Sequence, residues 1–108
     1  MSKRNDSGDT PEIDKVIHEP SRLKIVAQLY VIESADYPFL MKQLGFTWGN
    51  LSAHLSKLED AGYVEIEKDF VDKKPKTTVR LTSAGRAAFR EYRKTIRTVI
   101  GDMKVGSE

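Results

Sequence analysis

The sequence predicts a mainly α fold with a β-hairpin (α+β), built from about five helices plus a two- or three-stranded sheet. Three observations carry that expectation. Apolar residues recur at helical spacing from Ile13 to Leu58, the period changes to two between Tyr63 and Leu81, and helical spacing returns to the C-terminus.

The elements follow in order. Ile13, Val16 and Ile17 stand at helical spacing and predict a short first helix over Pro11 to His18. Glu19-Pro20-Ser21 interrupts it, because proline cannot continue a helix but suits the first turn of the next. The second helix runs from about Pro20 to Ser34, with Leu23, Val26, Ala27 and Tyr30 as its buried stripe. Asp36-Tyr37-Pro38 is a break, compatible with a short edge strand. A third helix spans Phe39 to Leu44, and Gly45 ends it as a left-handed cap. Thr47 is an N-cap for the fourth, which runs to about Ala61 and buries Leu51, Leu55 and Leu58. Val64 and Ile66 alternate against Glu65 and Glu67 in a half-buried strand over Tyr63 to Asp69. Thr77 to Leu81 repeats that pattern, and the Asp- and Lys-rich stretch Phe70 to Lys76 joins the two as an exposed loop. Arg80, projecting outward, either contacts phosphate or pairs with Glu65 or Glu67 across the hairpin. Thr82 caps a long final helix reaching about Ile100. Short connections make the third and fourth helices a helix-turn-helix, and the hairpin that follows is its wing. The predicted fold is a winged helix-turn-helix.

At 108 residues the chain supports one domain. We expect a flexible polar segment over residues 1–11, the domain over 12–100, and a flexible tail over 101–108. Cysteine is absent, which removes disulfides, thiolate metal sites and cysteine nucleophiles and fits a cytoplasmic location. No apolar run approaches the roughly 18 residues that span a bilayer, so no membrane partner is expected. His18 and His54 are the only histidines, and no ligand-like cluster accompanies them, so no metal and no cofactor are expected. A glycine-rich phosphate loop, a paired-carboxylate site and a nucleophile with its base are also missing. The chain is therefore not expected to be an enzyme, and it has no candidate catalytic residues.

Charge is unevenly placed. Between Lys68 and Arg97 ten Lys/Arg face three acids, a local balance of +7 in a chain of net charge +2. That asymmetry points to an anionic partner for the C-terminal third, although charge alone leaves open a solvated helix surface. The helix from Thr47 to Ala61 divides as a DNA-reading helix must, with leucines inward and short polar residues elsewhere. Asn50, Ser52, Ala53 and His54 are candidates for base contact, and Thr47, Ser56 and Lys57 for phosphate. Trp48 either lies against the sugar-phosphate backbone or packs into the core beside Phe46. Lys68, Lys73, Lys74 and Lys76 around the hairpin tip would add phosphate contacts. The same lysines, with Pro75, also serve to keep the hairpin from pairing with other edges. Ser21 and Arg22 sit where a helix start could clamp the backbone.

Three segments together resemble a known family: Ile17-His18-Glu19-Pro20-Ser21-Arg22-Leu23; Gly49-Asn50-Leu51-Ser52-Ala53-His54-Leu55 with Leu58-Glu59-Asp60-Ala61-Gly62-Tyr63-Val64; and Leu81-Thr82-Ser83-Ala84-Gly85-Arg86. They resemble the winged-helix regulators of the ArsR/MarR-like group, in particular its small winged helix DNA-binding domain subgroup, over about residues 13 to 95. The resemblance implies a dimeric protein that binds double-stranded DNA at promoters. In that scheme the Thr47 to Ala61 helix enters the major groove and the Phe70 to Lys76 wing lies near the backbone or minor groove. The chain departs from the metal-sensing members in lacking their cysteines; a small-molecule effector in a dimer cleft stays open, with Phe39, Met41 and Trp48 serving either such a cleft or the core. For a homodimer, the candidate interface is Ala88, Tyr92, Ile96, Val99, Ile100 and Met103 on the last helix, joined by Ile13, Val16 and Ile17. Twofold symmetry would predict a pseudo-palindromic operator. The competing reading is a winged-helix module that binds protein and no DNA.

Overall fold

Carboxylates and prolines set where the first helices begin. The structure is a computed structural model describing residues 11–101. The Glu19 side chain accepts from the Arg22 N–H (2.8 Å) to open α1 (Pro20–Ile32), with Pro20 in the first turn. That N–H, and more weakly the charges of His54 and Arg22, hold the Glu19 carboxyl below its usual range. After β1 (Ser34–Asp36), Asp36 caps α2 (Tyr37–Leu44) by accepting from the Phe39 N–H (3.0 Å). Gly45 closes α2 at φ 76°, in the left-handed region expected of it. Thr47 caps α3 (Trp48–Asp60) through the Asn50 N–H (3.1 Å). Then come β2 (Val64–Val71), β3 (Lys74–Leu81) and α4 (Ser83–Gly101).

The sheet is antiparallel in the order β1-β3-β2. One core fills the space between it and the helices: Ile25, Val26 and Leu29 of α1, Leu40 of α2, Leu51, Leu55 and Leu58 of α3, Val64, Val79 and Leu81 of the strands, and Phe89 and Tyr92 of α4. Each such side chain contributes about 1.5–3 kcal/mol by leaving water.

Three expectations need correction. Residues 11–19 form no helix. Asp14 Oδ1 instead accepts from the backbone of Val16 (2.9 Å) and Ile17 (3.1 Å), closing a tight turn that drops Ile17 into the core. Four helices therefore stand where about five were expected. The second helix stops at Ile32 because Glu33 adopts φ 74°, and Ser34 begins an edge strand paired to Arg80. The loop expected over Phe70 to Lys76 is mostly strand: Phe70 pairs with Pro75 and Val71 with Lys74. Only Asp72 and Lys73 turn, both at positive φ (54° and 66°), the conformation that matches the strand twist of a two-residue hairpin.

The Asp14 turn is tied to the foot of the wing. Asp14 Oδ2 accepts from the Tyr63 hydroxyl at 2.6 Å, and this hydrogen bond, with burial second, pushes the Tyr63 hydroxyl up to about 12. The folded state thus holds that proton more tightly than the unfolded chain, whose tyrosine titrates near 10. The stabilisation is complete below about pH 10 and is lost as pH rises through about 12. Tyr63→Phe should lower stability by about 1.5 kcal/mol at neutral pH, and the gap to the native chain should close toward pH 12. Denaturant melts of the two proteins at neutral and high pH measure this, and a gap constant with pH would contradict it.

Candidate nucleic-acid interface

Helical spacing splits α3 into faces. Leu51, Leu55 and Leu58 are fully buried, whereas Gly49, Asn50, Ser56 and Lys57 are exposed and lie three or four positions from the exposed Ala53, on its face of the helix. The outward stripe carries no acid until Asp60 at its carboxyl end, and its amino end carries unpaired N–H groups that favour anions. Ser52 and His54 flank the stripe on opposite sides, each half-buried.

His54 is engaged by neighbours on its own chain. Its ring sits 6.2 Å from that of Phe46, its Nδ1 lies 3.4 Å from Arg22 Nη1, and Glu19 Oε1 is 3.8 Å away. Arg22 is engaged as well: its Nε donates to the Val16 carbonyl (2.7 Å), and its guanidinium links the 16–19 turn to α3. Both side chains brace α3 against the 16–19 turn. They meet across 32 positions of sequence, a distance at which residue spacing carries no signal. Ser21 beside them is half-buried.

Trp48 stands outside the core. It is 61% exposed and inclined against Tyr37, with ring centroids 5.9 Å apart. Burial, and secondarily the Glu59 charge, push the Tyr37 hydroxyl up. A groove of about 690 Å³ runs from this aromatic pair to the wing, lined among others by Tyr37, Trp48, Ser52, Lys68, Lys74 and Pro75. Lys76 adds a third cation, and the lining carboxylate, Asp36, is engaged in capping α2. Lys73 stands exposed at the turn. On the hairpin face opposite Lys68, Arg80 lies 3.7 Å from both Glu65 and Glu67 and pairs with them across the strands. Tyr37 and Val71 do not stand out from sequence as groove residues. The partly apolar Tyr37-Pro38 step beside a break is the one available sign of the first, and nothing marks the second.

A second groove, of about 500 Å³ and almost entirely apolar, lies along α4 and is lined by Leu23, Phe89, Tyr92, Ile96, Ile100 and two arginines, Arg93 and Arg97. Of the residues expected at a dimer interface, Ile100 is 55% exposed, and Ala88, Ile96, Val99, Ile13 and Val16 are half-buried. Ile17 is wholly enclosed by its own chain, and Tyr92 is 7% exposed with its hydroxyl 2.8 Å from His18 Nδ1. Ile17 therefore has no surface to give to an interface, and Tyr92 offers only an edge. Met103 lies outside the described residues.

A helix-turn-helix whose second helix exposes a polar face, with a basic hairpin directly after it, defines a winged helix-turn-helix. The winged helix DNA-binding domain family matches residues 21–100, and the chain belongs to that family. It is 40% identical over 78 residues to the uncharacterized protein MJ0432 of Methanocaldococcus jannaschii, covering 72% of this chain and 85% of that one. The solved structure of a transcriptional regulator homologue from Pyrococcus horikoshii OT3 superposes with a TM-score of 0.79 at 29% identity, over 83% of this chain and 89% of that one. A MarR-family transcriptional regulator from Silicibacter pomeroyi shares the fold at a TM-score of 0.63 and 23% identity, over 87% of this chain and 62% of that one. Among the described residues no helix is long and apolar enough to cross a membrane.

Proposed function

We propose that the chain binds double-stranded DNA sequence-specifically as a homodimer and regulates transcription from the sites it occupies. One observation carries this reading: the α3 stripe, without an acid from Gly49 to Lys57, and the lysine-lined groove of the wing open side by side. In this reading α3 lies in the major groove, where Asn50 reads adenine and Ala53 packs on a thymine methyl, with Ser52 at the edge of the readout. Thr47, Trp48, Ser56 and Lys57 meet the flanking backbone. Lys68, Lys73, Lys74 and Lys76 hold the strand that passes into the groove between α3 and the wing. The apolar groove along α4 is covered by a second copy through Ile96, Val99 and Ile100, which spaces two α3 helices about one DNA turn apart and favours a pseudo-palindromic operator.

The experiment is an anisotropy titration of purified protein against a duplex selected from random DNA, at several salt concentrations, with the oligomeric state measured alongside. Replacing Lys73, Lys74 and Lys76 by alanine should weaken selected and random duplexes alike. It should also reduce the salt slope by up to about 0.9 for each phosphate that is no longer neutralised. An unchanged slope removes the wing from the interface, a monomer on DNA removes the α4 interface, and failure to bind any duplex leaves the protein-binding alternative.

A further inference from the structure

The wing tip carries an aromatic ring that the fold does not use. Phe70 is 71% exposed, which leaves about 1–2 kcal/mol of burial unrealised. The turn does not require it, since Asp72 and Lys73 adopt the turn conformation. Strand alternation places Phe70 on the sheet face of Val64, Ile66 and Lys68, the face whose inner residues join the core. Opposite it stands Pro75, a rigid neighbour. The adjacent Asp69 carboxylate accepts from the Phe70 N–H at 2.7 Å, so that acid is folded back on its own backbone. Exposed lysines share the hairpin with the ring: Lys68 on its own face, Lys73 in the turn, and Lys74 and Lys76 on the opposite face of the same tip.

An apolar ring framed by cations fits a partner that is anionic outside and apolar within. Another copy of this wing is a poor candidate, because the lysines would repel their equivalents. Stacked bases behind a phosphate rail meet both requirements.

We propose that Phe70 is a wedge that enters the minor groove adjoining the α3 site, partly unstacks one base step and bends the duplex; this rests on the DNA-binding function above. Wing lysines would then supply attraction that salt weakens, while Phe70 supplies a contact that salt does not weaken and a preference for easily unstacked steps such as TA and CA/TG.

The test compares native protein, Phe70→Ala and Phe70→Leu on one duplex selected by the native chain and labelled at both ends for energy transfer. A circular-dichroism melt of each variant confirms folding, which an exposed position should not disturb. The native protein should bend the duplex by about 20–90°. Phe70→Ala should abolish most of the bend and weaken binding about tenfold with an unchanged salt slope, and Phe70→Leu should retain part of both. A native duplex that stays straight, or a bend and affinity unchanged in Phe70→Ala, overturns the wedge while leaving DNA binding intact. Loss of oligomerisation in Phe70→Ala overturns it in favour of an interface between copies, and a native chain that binds no duplex overturns both proposals.

Discussion

Gly85→Ala should destabilise the domain by about 3 kcal/mol, lowering its melting temperature by about 15 °C. Gly85 is buried in the first turn of α4, where an added Cβ would overlap the Tyr63 carbonyl and come within 2.9 Å of Leu81 Cδ1. The carbonyl cannot retreat cheaply, because it accepts from the Thr82 N–H (3.0 Å). Nor can α4 move away, because Thr82 Oγ1 accepts from the Gly85 N–H (2.9 Å) while donating to the Gly62 carbonyl (2.7 Å). Gly49→Ala is the control. That position on α3 opens onto empty space, so alanine there should raise stability by up to about 1 kcal/mol. Urea unfolding of the three proteins decides, and equal stability of Gly85→Ala and the native chain would refute the close approach.

Ala53→Glu should leave stability nearly unchanged and weaken binding to a selected duplex by about a hundredfold. Ala53 is exposed at the centre of the α3 stripe, so a glutamate fits the fold and is a good helix former. In the major groove it would set a carboxylate between two phosphate rails and against acceptor-rich base edges, where like charge costs several kcal/mol. Titration at constant salt with a parallel thermal melt separates the two effects. Undiminished affinity would take α3 out of the groove.

Local chemistry is legible in the sequence and distant chemistry is not. Thr47, Gly45 and the leucines at 51, 55 and 58 report themselves, because capping and periodic burial act within one or two turns. Ile13, Val16 and Ile17 have helical spacing as well, yet so short a segment cannot offset the cost of nucleation. Asp14 offers its backbone a competing set of hydrogen bonds. The wing strands are longer than their sequence suggests for a related reason. Asp72-Lys73 lacks the glycine that announces a tight hairpin, and Pro75 argues against a strand. Proline is tolerated there because β1 reaches only as far as Thr78 on β3, so the stretch from Lys74 to Thr77 is an edge strand. Of the expected DNA-facing residues, the α3 stripe and the wing lysines are exposed, as their positions suggest. Arg22 and His54 are half-buried and meet each other, a contact that only the folded chain creates. Arg80 pairs with Glu65 and Glu67, one of the two options its position leaves open.

Trp48 is the chain's single tryptophan, and it projects from the mouth of the basic groove instead of from the hydrophobic interior. Its indole emission therefore starts in a water-like environment and changes little when the domain denatures. A blue shift or quenching on mixing with a partner would report on this one location, with no label attached.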